Sequence, residues 1–199
     1  QQMTFSVWVK AASVSSEMRI INFGSSGQST GLSVEAGGKV SFHTSYDGIL
    51  GEIVWETNSA LISADTWYHI VVTYSGGGPG NPTIYVNGES YNTNTPSVSG
   101  GWLGITGGSS ITALIGARIK LPPGALTATH WNGQIAEVAI WDKTLTESEI
   151  VKIYQAGMGN SLYAAGLHHL AVGWWRMGED LDTNQIFYDL TDKGNNAVT

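Results

Sequence analysis

The chain has 199 residues with a formal net charge of −7, from nine Lys plus Arg against sixteen Asp plus Glu. An acidic chain without a basic patch is a poor ligand for nucleic acid and for anionic membranes, since both are bound chiefly through cationic side chains, and no nucleic-acid partner is expected. Eight tryptophans, eight tyrosines and four phenylalanines argue against disorder. The absence of cysteine excludes disulfides, thiolate metal sites and thiol nucleophiles, so the fold must stand on its core. No apolar run approaches the ~20 residues of a membrane span. No charged-then-apolar signal opens the chain, and its first residues already read as a strand, which predicts a mature chain or an excised piece.

Period-2 alternation dominates from the start. Thr4 to Lys10 sets Phe5, Val7 and Val9 against Ser6, Trp8 and Lys10, the pattern of a strand with one buried face. Strands follow over 18–23, 31–36 and 39–44, the last two joined through Gly37-Gly38 as a hairpin. A further strand is read at 52–56 (EIVWE), and 67–74 (WYHIVVTY) is rich in β-branched and aromatic residues that suit a pleated surface. Residues 82–86 run into Asn87-Gly88, a strong hairpin signal, with the partner beginning at Glu89. Strands at 113–119, 134–141 and 171–177 complete the set. Residues 75–81 and 92–110 are Gly, Ser, Thr, Asn and Pro-rich and read as loops.

One helix is expected, over 147–156. Thr146 and Glu149 have capping-box spacing, Leu145 and Ile150 are placed as a staple, and Gly157 stands where a helix ends. No linker separates two cores, so residues 1–199 read as a single domain with 158–199 as a C-terminal extension that closes it. The expected core includes Phe5, Val7, Ile70, Val72, Ile84, Val86, Ile115, Ile135, Val138, Ile140 and Trp141. Val138 breaks parity with Ile135, which predicts a bulge or a strand covered on both faces.

The succession FSVWVK, WYHIVVTY, TIYVNGE, IGAR and WNGQIAEVAIWDKTLTESEIVKIYQAG resembles the laminin G-like domains of the concanavalin A-like lectin/glucanase superfamily, to which the pentraxins also belong. The resemblance covers residues 4–157 and is most specific over 131–150. It implies an all-β fold, an antiparallel jelly-roll sandwich with one short helix. The segment 173–179 (GWWRMGE) is similar to a strand found beside such domains in phage and bacterial surface proteins.

The resemblance brings three chemistries to test on the residues. Glucanases of the superfamily use E-x-D-x-E or E-x-D-x-x-E carboxylates, which put acid and nucleophile on one face of a strand. This chain has no such run, and no Ser lies in a G-x-S-x-G elbow, so no enzyme is expected. Family members often hold calcium at the rim. Asp180, Asp182 and Asn184 alternate oxygen donors of the kind calcium takes, although Gln185 and Thr191 depart from an EF-hand. The competing reading is a solvated acidic turn.

The third chemistry is sugar stacking. Trp8, Trp67, Trp141 and one of Trp174 and Trp175 are assigned to the core, and Trp131 to the sandwich edge. Trp102, in the Gly-rich SGGWLG segment, is a stacking platform or a loop anchor. Tyr46, Asp47 and Trp55 are the candidates beside it: a ring covers the apolar face of a sugar while Asp47 accepts from hydroxyls. The expected function is non-catalytic recognition, with a glycan as ligand, on an extracellular or virion surface. The alternative is a structural or decoration domain that contacts neighbouring protein subunits. A shallow site binds weakly, so a repeated or oligomeric context is expected.

Overall fold

The computed structural model describes residues 2–25, 28–45, 53–75, 81–94, 112–118, 129–159, 161–177 and 186–198. Its strands are β1 (Gln2–Ala11), β2 (Met18–Ser25), β3 (Gln28–Val34), β4 (Val40–Ser45), β5 (Ile53–Glu56), β6 (Trp67–Ser75), β7 (Thr83–Val86), β8 (Glu89–Tyr91), β9 (Thr112–Ile115), β10 (Gly133–Trp141), β11 (Gly173–Trp175), β12 (Ile186–Phe187) and β13 (Ala197–Val198). Two helices, α1 (Glu147–Ala156) and α2 (Ser161–Ala165), and a 3-10 turn (His168–Leu170) lie between β10 and β11. A six-stranded sheet runs β11-β10-β1-β6-β7-β8, a five-stranded sheet runs β5-β4-β3-β2-β9, and β12 pairs with β13. The pairings are antiparallel, the strands that the alternation predicted in the sandwich that the resemblance implied.

The main core is the facing surfaces of the two sheets. Phe5, Val7, Ile70, Val72 and Ile84 come from the six-stranded sheet, and Ile20, Leu32, Val34, Phe42 and Trp55 from the five-stranded one. Rings meet across the gap: Phe5 and Phe42 at 6.4 Å, Phe42 and Tyr74 at 5.9 Å, Trp55 and Tyr74 at 6.3 Å between centroids. Each such fully buried apolar side chain contributes about 1.5–3 kcal/mol. Eight of the eleven expected core residues are buried, while Ile115, Ile135 and Ile140 pack on the core half-buried. Ile115 lies on the edge strand β9, and Ile135 near the open end of β10, where one side of each lacks a neighbour.

The anticipated bulge is present at Glu137. Ser6 pairs with Ala139 and Trp8 with Ala136, so Val7 faces two residues, and Glu137 takes φ +53°. β2 carries a second irregularity that the sequence did not announce. Its register shifts between Arg19 and Ile21, and Ile20 and Ile21 are both buried. The Asn132-Gly133 turn brings β10 against β1. A Cβ on Gly133 would lie 2.1 Å from the Lys10 carbonyl oxygen, so no larger residue fits there.

A second, smaller core lies on the other face of the six-stranded sheet. Val71, Ala139, Trp141 and Trp174 pack there beneath Leu145, Ile150, Ile153, Leu162 and Leu167. This explains why β1, β6 and β10 are apolar or small on both faces, and why Trp174 and Trp175 are both buried where one was expected: they point to the two different cores. Thr4 fastens the entry to α1, donating from Oγ1 to the Lys143 carbonyl at 2.7 Å and accepting from the Leu145 amide at 3.0 Å. The helix spans the expected residues. Thr146 Oγ1 accepts from the Glu149 amide at 3.3 Å, and the Glu149 carboxylate accepts from the Thr146 amide at 2.7 Å. Thr146→Ala is expected to cost about 1 kcal/mol of stability in chemical denaturation. Trp67, assigned to the core, is instead half-buried at the end of β6 with Lys10 Nζ 5.9 Å from its ring centre. The strand predicted to reach residue 119 ends earlier, at Gly116, which takes φ +74°.

Candidate functional site

The face of the five-stranded sheet that turns away from the main core is polar. Cross-strand register sets its rows: Arg19, Ser33, Ser41 and Glu56 in one, Asn22, Gly31, His43 and Val54 in the next. The irregularity at Ile20 is what places both Arg19 and Asn22 on this face although they are three residues apart. Such a face is ordinarily wet. Here Arg19, Asn22, Ser33, Ser41 and His43 are all buried, at 3% exposure or less. This face is therefore shielded from solvent, and its polar groups satisfy one another.

Two networks are visible. Ser33 Oγ lies 2.7 Å from Ser41 Oγ and donates to Glu35 Oε1 at 2.9 Å, and Ser41 Oγ also donates to Glu35. Beside them, the Arg19 guanidinium lies against the His43 ring and pairs with Glu17 at 2.6 Å. Asn22 Oδ1 accepts from Ser29 Oγ at 3.0 Å. The His43 ring lies over Gly31, where a Cβ would come within 2.8 Å of the ring and 2.3 Å of the Ile21 carbonyl oxygen, so only glycine fits beneath it. Burial, then the Arg19 charge, then that of Arg118 hold His43 well below the usual histidine range, and it is neutral. Arg118, half-buried, follows β9 where Gly116 N donates to the Ile20 carbonyl at 2.8 Å. This face thus gathers one guanidinium group, a neutral imidazole, short hydroxyl and amide side chains and the Glu17 and Glu35 carboxylates.

The residues singled out from the sequence fall differently. Trp102, Tyr46 and Asp47 lie outside the described residues, as do Asp180, Asp182 and Asn184. Among the described residues no group of three His, Asp or Glu side chains is placed to hold a metal ion. Trp55, expected as a ring available to a sugar, is core: it is 7% exposed, packs tilted against Phe42 at 5.9 Å, and donates from Nε1 to Asn81 Oδ1 at 3.0 Å. Alternation in β5 explains this, since Ile53 and Trp55 point inward and Val54 and Glu56 outward. Arg19, His43 and Arg118 were not singled out. Their signal was parity: Arg19 and His43 sit among apolar strand residues on the positions that alternate away from the core.

One pair has the spacing of a nucleophile and its base. Ser6 Oγ lies 2.8 Å from His69 Nε2. Both are buried, with the His69 ring stacked at 6.1 Å on Tyr154 of α1 and tilted against Trp8 at 5.1 Å. Among the described residues no carboxylate orients His69 Nδ1. The pair joins β1 to β6 rather than facing a substrate.

A laminin G model described as the Concanavalin A-like lectin/glucanases superfamily matches residues 1–151, and the chain belongs to that family. Among solved structures, the fold is similar to a native heptameric SAP-like pentraxin from Limulus polyphemus, at 17% identity and a TM-score of 0.55, over 78% of this chain and 70% of that one. It is similar to a putative carbohydrate binding protein from Bacteroides ovatus, at 15% identity and a TM-score of 0.58, over 95% of this chain and 49% of that one. It is also similar to the CBM40 of a Ruminococcus gnavus IT-sialidase bound to alpha2,3 sialyllactose, at 11% identity and a TM-score of 0.59, over 77% and 83% of the two chains. No curated protein sequence matches the chain.

Proposed function

We propose that this domain recognises carbohydrate without catalysis, on an extracellular or virion surface. The observation that carries the reading is the polar outer face of the five-stranded sheet, where Arg19, Asn22, Ser29 and His43 gather. Family membership supports it, as do fold relatives titled as carbohydrate binding or bound to a sialylated sugar. A glycan array probed with and without calcium tests it, and the calcium arm also tests Asp180, Asp182 and Asn184 as calcium ligands. Retention of a defined glycan set is expected. With Trp102 as a stacking platform, Trp102→Ala abolishes retention while the melting temperature stays nearly unchanged. A mutant that unfolds early, beside a wild type that retains nothing, makes Trp102 a packing residue.

A second reading is favoured by one observation. Met158, Tyr163, Leu170, Tyr188 and Val198 are exposed large apolar side chains, and all belong to the C-terminal part of the chain. A subunit contact formed there makes the domain a building block of an assembly, as in the second function expected from the sequence. Sedimentation that shows a monomer at high concentration argues against it.

A further inference from the structure

Strand register sets Gln134 of β10, Lys10 of β1 and Trp67 of β6 side by side in one row across the six-stranded sheet. Alternation puts this row on the face that carries α1, since the adjoining residues Val9, Tyr68 and Ile135 pack on the main core. The next row on the same face, Ala136, Trp8 and His69, is closed by α1: the Tyr154 ring stacks 5.9 Å from Trp8 and 6.1 Å from His69. The Gln134–Lys10–Trp67 row lies one step beyond and reaches solvent, with Gln134 exposed and the other two half-buried. Lys10 Nζ stands over the Trp67 ring at 5.9 Å from its centre. That is the outer limit of a cation–π contact, so the ammonium holds the ring face weakly and is easily displaced from it.

We infer that Trp67 is a stacking platform for a neutral pyranose, with Lys10 and Gln134 as the flanking groups that meet its hydroxyls; the inference rests on the carbohydrate reading above and adds a contact point apart from the five-stranded sheet. A pyranose that turns its axial C–H groups to one side packs them on the negative face of an indole, the face that the Lys10 ammonium now occupies. Its hydroxyls then lie around the rim of the ring. Side chains on adjacent strands start about 4.5–5.5 Å apart, so Lys10 and Gln134 reach that rim. Lys10 donates only, while the Gln134 amide both donates and accepts, as hydroxyls require. The backbone that carries Gln134 is held by Trp131, whose Nε1 donates to the Gln134 carbonyl at 3.2 Å. Three side chains across three strands span about 10 Å. That suits a small ring and falls far short of a protein interface, which buries on the order of 1,000 Å² or more.

Ligand-observed NMR on the full chain tests this, with methyl β-glucoside and methyl β-galactoside as probes and sorbitol as the control that keeps the hydroxyls and has no ring face. Saturation transfer to the axial C–H protons of a pyranoside, and none to sorbitol, is expected. Trp67→Leu is expected to weaken binding by about tenfold or more, with Trp67→Phe between it and the wild type. Lys10→Ala and Gln134→Ala are expected to weaken it severalfold at a nearly unchanged melting temperature. Undiminished binding by Trp67→Leu, or equal transfer to sorbitol, overturns the inference. Should Trp67→Leu melt early, binding by both Lys10→Ala and Gln134→Ala equal to that of the wild type overturns it instead. A wild type that retains glycans on the array while neither pyranoside binds also overturns it and leaves the carbohydrate reading standing. No retention on the array and no transfer to either pyranoside overturn both.

Discussion

Glu137→Ala is expected to lower the free energy of unfolding by about 3–5 kcal/mol, the cost of removing one partner from a buried ionic network. Glu137 is 4% exposed, and its carboxylate is shared by four groups. Oε2 accepts from Trp174 Nε1 at 2.8 Å and Ser161 Oγ at 3.2 Å, while Oε1 accepts from the Gly159 amide at 3.0 Å and lies 3.4 Å from Arg176 Nε. These partners come from β11, from the start of α2 and from the turn before it, so one side chain in β10 ties the C-terminal segment to the sandwich. Alanine would strand an indole N–H, a hydroxyl and an amide in a shielded place, each costing about 1–3 kcal/mol if unsatisfied. Glutamine keeps the shape and one of the two acceptor oxygens, so it can still accept from Trp174 Nε1 and Ser161 Oγ but turns a donor toward the Gly159 amide, and Glu137→Gln should lose less than Glu137→Ala. Urea unfolding of the three proteins checks this. A loss below about 1 kcal/mol for Glu137→Ala would show that water replaces the carboxylate there.

The role of Glu137 also marks the limit of what was legible in the sequence. The strands, the helix with its cap and the Asn-Gly turn could be read because alternation, capping spacing and turn chemistry are local. The bulge could be read as well, since Val138 stands out of phase with Ile135. What the bulge does could not: Glu137 is buried because Trp174 and Ser161, some 24 to 37 residues further on, come to it. Trp55 was misplaced for a related reason. Its glutamate neighbours suggested an exposed strand, whereas only parity across β4 decides that Glu56 points outward and Trp55 inward. The Arg19–His43 pair was invisible because the two residues sit on different strands and only the register of β2, β3 and β4 brings them together.

Acid is expected to unfold this domain through histidines before it does so through carboxylates. Burial beneath α1 lowers His69 from 6.5 to about 3, and His43 is lowered as well, by burial and by Arg19 and Arg118. In both cases the folded state refuses a proton that the unfolded chain accepts. Their contribution to stability is therefore complete above pH 6.5 and declines as the pH falls below it, for His69 down to about 3. Each unit of the His69 window costs about 1.4 kcal/mol, so His69 alone removes about 3 kcal/mol by pH 4.5. Asp189 acts lower on the scale. Its carboxylate is held below the usual range by the amides of Thr191, Trp174 and Asn195 and the Thr191 hydroxyl, against the opposing effect of burial. Its contribution is present above the ordinary carboxylate pKa and is lost only as the pH drops through its depressed value. Unfolding free energies measured between pH 7.5 and 4.5 should thus fall steeply for the wild type. His69→Gln, whatever its constant loss, should show a shallower slope over the same range. Parallel slopes for the two proteins would mean that His69 takes up its proton in the folded state, and hence that α1 does not seal it from water.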